Sequence, residues 1–137
     1  MGSIREKVDD LIKKYGTNDP FKIAEFMGIE IIYENLGKSF GYFSKICRIP
    51  IIHINESISY EKQLFTIAHE LGHAILHPNE NTAFLKSNTY YSTEKIEVEA
   101  NIFAIDLLFK ENNSITIKEA TETYGAPEQL LYKNFYA

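Results

Sequence analysis

The chain has 137 residues, 45% of them hydrophobic and 13% aromatic, enough to bury one core and fitting a single domain, 1–137. Its net charge of −5 argues against nucleic acid or an anionic membrane as the principal partner. A single cysteine, Cys47, excludes an internal disulfide, and no apolar run approaches the ~20 residues of a membrane span, so a cytoplasmic protein is expected. Cys47 reads as a packing residue rather than a nucleophile.

Ile4 to Tyr15 has the pattern of an amphipathic helix, with Ile4, Val8, Leu11, Ile12 and Tyr15 on one face and Gly16 as its stop. Asp19 caps a second, short helix that Pro20 opens and Gly28 closes. Strands are expected from Ile29 to Tyr33, near Tyr42-Phe43, and from Ile49 to Ile54. Pro50 marks the third as an edge strand or as a strand start. A helix follows from Tyr60 to His77, stopped by Pro78. Asn79 to Ser92 is a polar loop with a short extended piece near Phe84. A long helix runs from Thr93 to Lys110, and two short helices are split at Gly125-Ala126-Pro127. Strands early and helices late, without βαβ alternation, give an α+β class. The expected sheet is small and antiparallel, with about three strands.

His69-Glu70-Leu71-Gly72-His73 is the most informative stretch. Histidines four apart on a helix lie about 6 Å apart along the axis and about 40° apart around it. Both imidazoles can therefore reach one metal ion. The glutamate between them can act as general base on the water that such a metal activates. This is the H-E-x-x-H arrangement of zinc peptidases. On a helical wheel, Leu64, Ile67, Ala68, Leu71 and Ile75 form the core stripe, and the two histidines fall on the far side. A cleft or a second helix must cover them. Gly72, which costs a helix roughly 1 kcal/mol, is expected where a neighbouring backbone comes close. His77 continues the spacing but lies about 12 Å along the axis from His69, too far to share a metal. In the last turn it complements the helix dipole. His53, between Ile52 and Ile54, reads as a surface or cleft-wall residue of an edge strand.

A catalytic zinc takes three protein ligands and keeps one position open. On the long helix, Ile96, Ala100, Phe103 and Leu107 make a core stripe. Glu99 and Asp106 fall beside Lys95 on an ordinary solvated stripe. Glu97 and Asn101 instead lie among Ala100, Ala104 and Leu108. A glutamate inside an apolar face is costly unless paired or metal-bound. Glu97 is therefore the expected third ligand, with Asn101 one turn on to orient a histidine. Glu99 is the fallback.

These residues carry a resemblance to a family. Asp19-Pro20, Ile23-Ala24-Glu25 and Gly28-Ile29-Glu30-Ile31 are similar to the amino-terminal block of the ImmA/IrrE zinc metallopeptidases. Phe65 through Pro78 is a close match to its "AHELGHxxLHP". Glu97 through Ala104, with Leu107-Leu108, matches "ExEANxFAxxLL". The chain departs at Phe109-Lys110, where the family often has Met-Pro. The resemblance implies a zincin-like, gluzincin-like fold. It also implies Zn2+ held by His69, His73 and Glu97, with Glu70 as the catalytic base. It further implies a protein substrate, a helix-turn-helix repressor of a phage or mobile element, whose cleavage relieves repression.

Tyr90 and Tyr91 are the candidates for oxyanion donor. The strand from Ile51 to Ile54 is the candidate for aligning an extended substrate. Two alternatives stand beside the peptidase. One is a module that keeps the fold and sequesters the repressor without cutting it. The other is a DNA-binding protein, because Lys118 through Leu131 has helix-turn-helix spacing. The would-be recognition helix after Pro127 carries Glu128 and only Lys133 as a base, so direct nucleic-acid binding is not expected.

Overall fold

The computed structural model describes residues 3–78, 95–111 and 114–136, with side chains described up to residue 132. The expected polar loop, the extended piece near Phe84, Tyr90 and Tyr91 lie outside the described residues.

Local signals set the helix ends. Ser3 caps α1 (Ile4–Tyr15) in a reciprocal capping box with Glu6. Gly16, at φ 70°, ends it in the left-handed conformation that glycine adopts without a Cβ clash. Asp19 accepts the Phe21 N–H at 2.9 Å and opens α2 (Pro20–Phe26). Ser59 caps α3 (Tyr60–Leu76) in the same way. The described part of the second long helix, α4, is Lys95–Phe109. Thr116 caps α5 (Ile117–Glu122), and α6 is Glu128–Tyr136. Ala120, Ala126 and Leu131 are buried in the common core. The last two helices thus pack apolar residues into that core.

The sheet differs from expectation. Its strands are β1 (Glu30–Glu34), β2 (Gly41–Ile46) and β3 (Ile49–Asn55), in the order β1-β3-β2. β2 pairs antiparallel with β3, but β1 pairs parallel with it, so the sheet is mixed and β3 is central rather than an edge. Pro50 does not contradict this. The β1 ladder begins at Glu30 opposite Ile51, one residue after the proline, so the missing N–H removes no bond on that side. Central placement explains why Ile52 and Ile54 have no exposed surface. It also overturns the reading of His53 as a surface residue. His53 is buried and ties all three strands. Its Nδ1 lies 2.5 Å from Glu34 Oε2 on β1, its Nε2 lies 2.9 Å from Ser44 Oγ on β2, and its ring stacks on Tyr42.

Two further expectations change. Cys47 is exposed, not packed. It forms the two-residue β2–β3 turn with Arg48, and both have positive φ, 52° and 70°. That conformation matches the strand twist but suits Asn-Gly better than Cys-Arg. Asp106 is buried rather than solvated, because α1 covers it; Arg5 Nη2 lies 4.0 Å away. Burial raises its pKa, against the opposing pull of Arg5 and Lys110.

α3 lies between the sheet and α4, so Phe65 through His73 are all buried. Gly72 meets α4: a Cβ there would sit 3.1 Å from Phe103 Cβ. The close neighbour is a side-chain base rather than the backbone expected. Among the described residues, no helix is long and apolar enough to cross a membrane.

Gly41 sits where β2 lies tightly against β3 and α3. A Cβ there would strike the His53 carbonyl oxygen and approach Thr66 Cγ2 to 2.8 Å. Gly41→Ala is expected to destabilise the fold by about 3 kcal/mol, measured by urea unfolding. Arg48→Gly is expected to stabilise it by about 0.5–1 kcal/mol in the same assay, because glycine relieves the left-handed strain.

Candidate metal centre

Helical spacing brings His69 and His73 together, and α4 closes over them. Their rings meet edge-on, with centroids 4.8 Å apart. Neither is accessible, and Glu97 on the facing helix is equally buried. The Glu97 carboxylate lies between the two imidazoles. Oε1 is 2.9 Å from His69 Nε2 and 3.2 Å from His73 Nε2. Oε2 is also 3.2 Å from His73 Nε2, but outside hydrogen-bonding geometry, and is buried without a hydrogen-bond partner among the described residues. Ligand atoms of His69, Glu70 and His73 all lie within 4.8 Å of one another.

The far side of each ring is also engaged. His69 Nδ1 is 2.8 Å from Asn101 Oδ1. An amide oxygen only accepts, so Nδ1 carries a proton and donates. A neutral His69 then has its lone pair on Nε2, facing a carboxylate that also only accepts. Two lone-pair-bearing atoms at 2.9 Å fit a cation between them, either a proton or a metal. The donor set of two imidazole Nε2 atoms and a carboxylate, one of whose oxygens lacks a hydrogen bond, fits a divalent ion.

The electrostatics favour the ligating forms. Burial lowers the His73 pKa, against the opposing Glu97 bond, which keeps the imidazole neutral. Burial pushes the Glu97 carboxyl up; where a proton rather than a metal sits at the Nε2 pair, hydrogen bonds and charge from His69 and His73 outweigh it and hold the pKa at about 2. Glu70, buried on the next position of α3, is pushed well above the usual carboxylate range by desolvation and then by the Glu97 charge. A cation held at the Nε2 pair opposes that push.

The structure thus brings together His69, Glu70, His73, Glu97 and Asn101. It places Glu99 outside this group. Its carboxylate instead meets His77, at 2.7 Å from Nε2, and His77 Nδ1 lies 3.0 Å from His73 Nδ1. The helix-dipole reading of His77 overlooked that link. The i to i+4 spacing of His73 and His77 was its signal, since it places both rings on one face.

A model of the IrrE N-terminal-like domain matches residues 24–132. The chain is 36% identical over 137 residues to a protein of Bacillus phage phi105 named "uncharacterized immunity region protein 2", covering 94% of this chain and 87% of that protein. It is also 36% identical over 107 residues to metallopeptidase ImmA of Bacillus subtilis strain 168, covering 77% of this chain and 62% of ImmA. With its buried His-Glu-His cluster on α3 and a family match over most of its length, the chain belongs to the ImmA/IrrE family of metallopeptidases, which carries the IrrE N-terminal-like domain.

Proposed function

We propose that the protein is a zinc-dependent endopeptidase that hydrolyses a peptide bond in a protein substrate. The observation that carries this reading is the buried Glu97 carboxylate set between Nε2 of His69 and Nε2 of His73, with Glu70 beside them. His69, His73 and Glu97 would hold the ion, and an imidazole and carboxylate set suits zinc. Zinc, when bound, supplies a Lewis acid that polarises the scissile carbonyl and acidifies water. Glu70 accepts the proton of the attacking water and returns it to the leaving amine nitrogen. Asn101 holds the His69 ring through Nδ1. Tyr90 and Tyr91 are proposed as donors to the developing oxyanion.

The strand that aligns the substrate changes with the sheet. β3 is paired on both sides and has no free edge. Among the described residues, β2 is an edge strand lying against α3 near Thr66, one turn before Glu70. An extended peptide adding to β2 by backbone pairing would pass the cluster.

The proposed substrate is a helix-turn-helix transcriptional repressor of a phage or mobile element, whose cleavage relieves repression. The phage relative, assigned by its name to an immunity region, supports such a substrate. Action on that repressor puts the protein in the cytoplasm.

Glu70→Gln is expected to keep the fold and the metal and to lower repressor cleavage by about 10³-fold, followed by gel electrophoresis. Equal release of the repressor from DNA by both forms, without fragments, would replace hydrolysis by sequestration. Glu97→Gln is expected to weaken zinc retention at least about 100-fold, far more than Glu99→Gln, in metal analysis after dialysis. The reverse order would move the ligand to Glu99.

A further inference from the structure

His73 and His69 are backed differently. Behind His69 stands a neutral amide, Asn101. Behind His73 stands a second imidazole, His77, and behind that a carboxylate, Glu99. The proton positions follow from the chemistry of the last group. An ionised carboxylate only accepts, so His77 Nε2 bears the proton on the 2.7 Å bond to Glu99 Oε1. A neutral His77 then has its lone pair on Nδ1. The 3.0 Å bond to His73 is made only if His73 Nδ1 donates. This leaves His73 Nε2 free of a proton and turned toward Glu97.

Local structure holds the chain in place. His77 leaves the helix at its C-cap, with φ −132° and ψ 54°, while its N–H still bonds to the His73 carbonyl at 2.8 Å. Its ring is buried, and the Glu99 side chain keeps 32% of its surface exposed. The carboxylate is thus solvated at the rim, and its effect is passed inward through a buried imidazole.

We propose that His77 and Glu99 are positioning residues: a hydrogen-bonded chain that fixes the tautomer of His73 and strengthens its hold on a metal ion. The inference rests on the metallopeptidase reading above. Carboxylate backing makes a ligand imidazole a stronger donor, and loss of such a partner weakens metal affinity about 10–100-fold. Of the two histidines, His73 is then the stronger donor.

The test measures the affinity of the full-length, metal-free chain for Zn2+ and for Co2+ by chelator competition. His77→Ala is expected to weaken binding about 10–100-fold. Glu99→Gln keeps an acceptor for His77 and loses the charge; it is expected to weaken binding about tenfold and shift the visible bands of the Co2+-loaded protein. Combining Glu99→Gln with His77→Ala is expected to add nothing, because the chain is already cut. His77→Asn, which restores an acceptor near His73 Nδ1, is expected to recover part of the affinity and to be insensitive to Glu99→Gln. Wild-type affinity and spectrum in Glu99→Gln, or additive losses in the double variant, would overturn the chain. Glu99→Gln changes a rim residue, so the test stands even if His77→Ala does not fold. A wild-type protein that fails to bind one ion per chain would overturn the metallopeptidase reading itself; wild-type binding with unaffected variants would overturn the chain alone.

Discussion

A carboxylate buried between two imidazoles constrains most of this structure. Removing an ion from water is costly unless charge and hydrogen bonds replace the solvent. At Glu97, contacts to His69 and His73 do so, well enough to hold its pKa at about 2. That pairing requires α3 and α4 to meet face to face at a set depth. Gly72 permits the approach by leaving room for Phe103. Asn101 and His77 then hold the two rings from behind, so each imidazole presents Nε2 to the same point. The same closure buries Glu70 and raises its pKa. One packing contact therefore sets the geometry of the His69, His73 and Glu97 cluster and the seclusion of Glu70.

The sheet serves this contact from the other side. Ile52 and Ile54 on the central strand supply the apolar surface beneath α3. On the same strand, His53 links to Glu34 and Ser44 and ties β1 and β2 to it. Asn55 continues the bracing: its amide reaches the Gly37 and Ser39 carbonyls, and its own carbonyl accepts from Gln63 on α3. The loop between β1 and β2 is thereby anchored to the start of the helix that carries the cluster. The positive φ angles of Cys47 and Arg48 lie at the far end of the hairpin, where strain does not reach the cluster.

Features governed by neighbours in sequence were legible from the residues alone. Asp19-Pro20 opened α2, and Gly16 closed α1. The wheel argument put Glu97 and Asn101 on a covered face, and both are buried with polar contacts to His69, as an acid and an amide set among alanines and leucines must be. The same argument failed for Asp106. It compares a residue only with its own helix, and α1 covers Asp106 from elsewhere. It failed for His77 for a related reason: distance along one helix excluded a shared metal but said nothing of a link through His73 to Glu99.

Strand order lay beyond local reasoning altogether. Alternation of apolar residues marks a strand but not its neighbours, and Pro50 suggested either an edge or a strand start; it lies at the start of β3, which is central. What the sequence by itself determined is the chemistry: two histidines and a glutamate on one helix, and a second glutamate among apolar residues on another. Period and side-chain type carry that information over a few residues. What only the tertiary structure decided is which atoms face one another: Oε1 of Glu97 against two Nε2 atoms, His77 against Glu99, and a mixed sheet with β3 at its centre. Those contacts join residues far apart in the chain, and packing of whole elements, rather than any local preference, selects them.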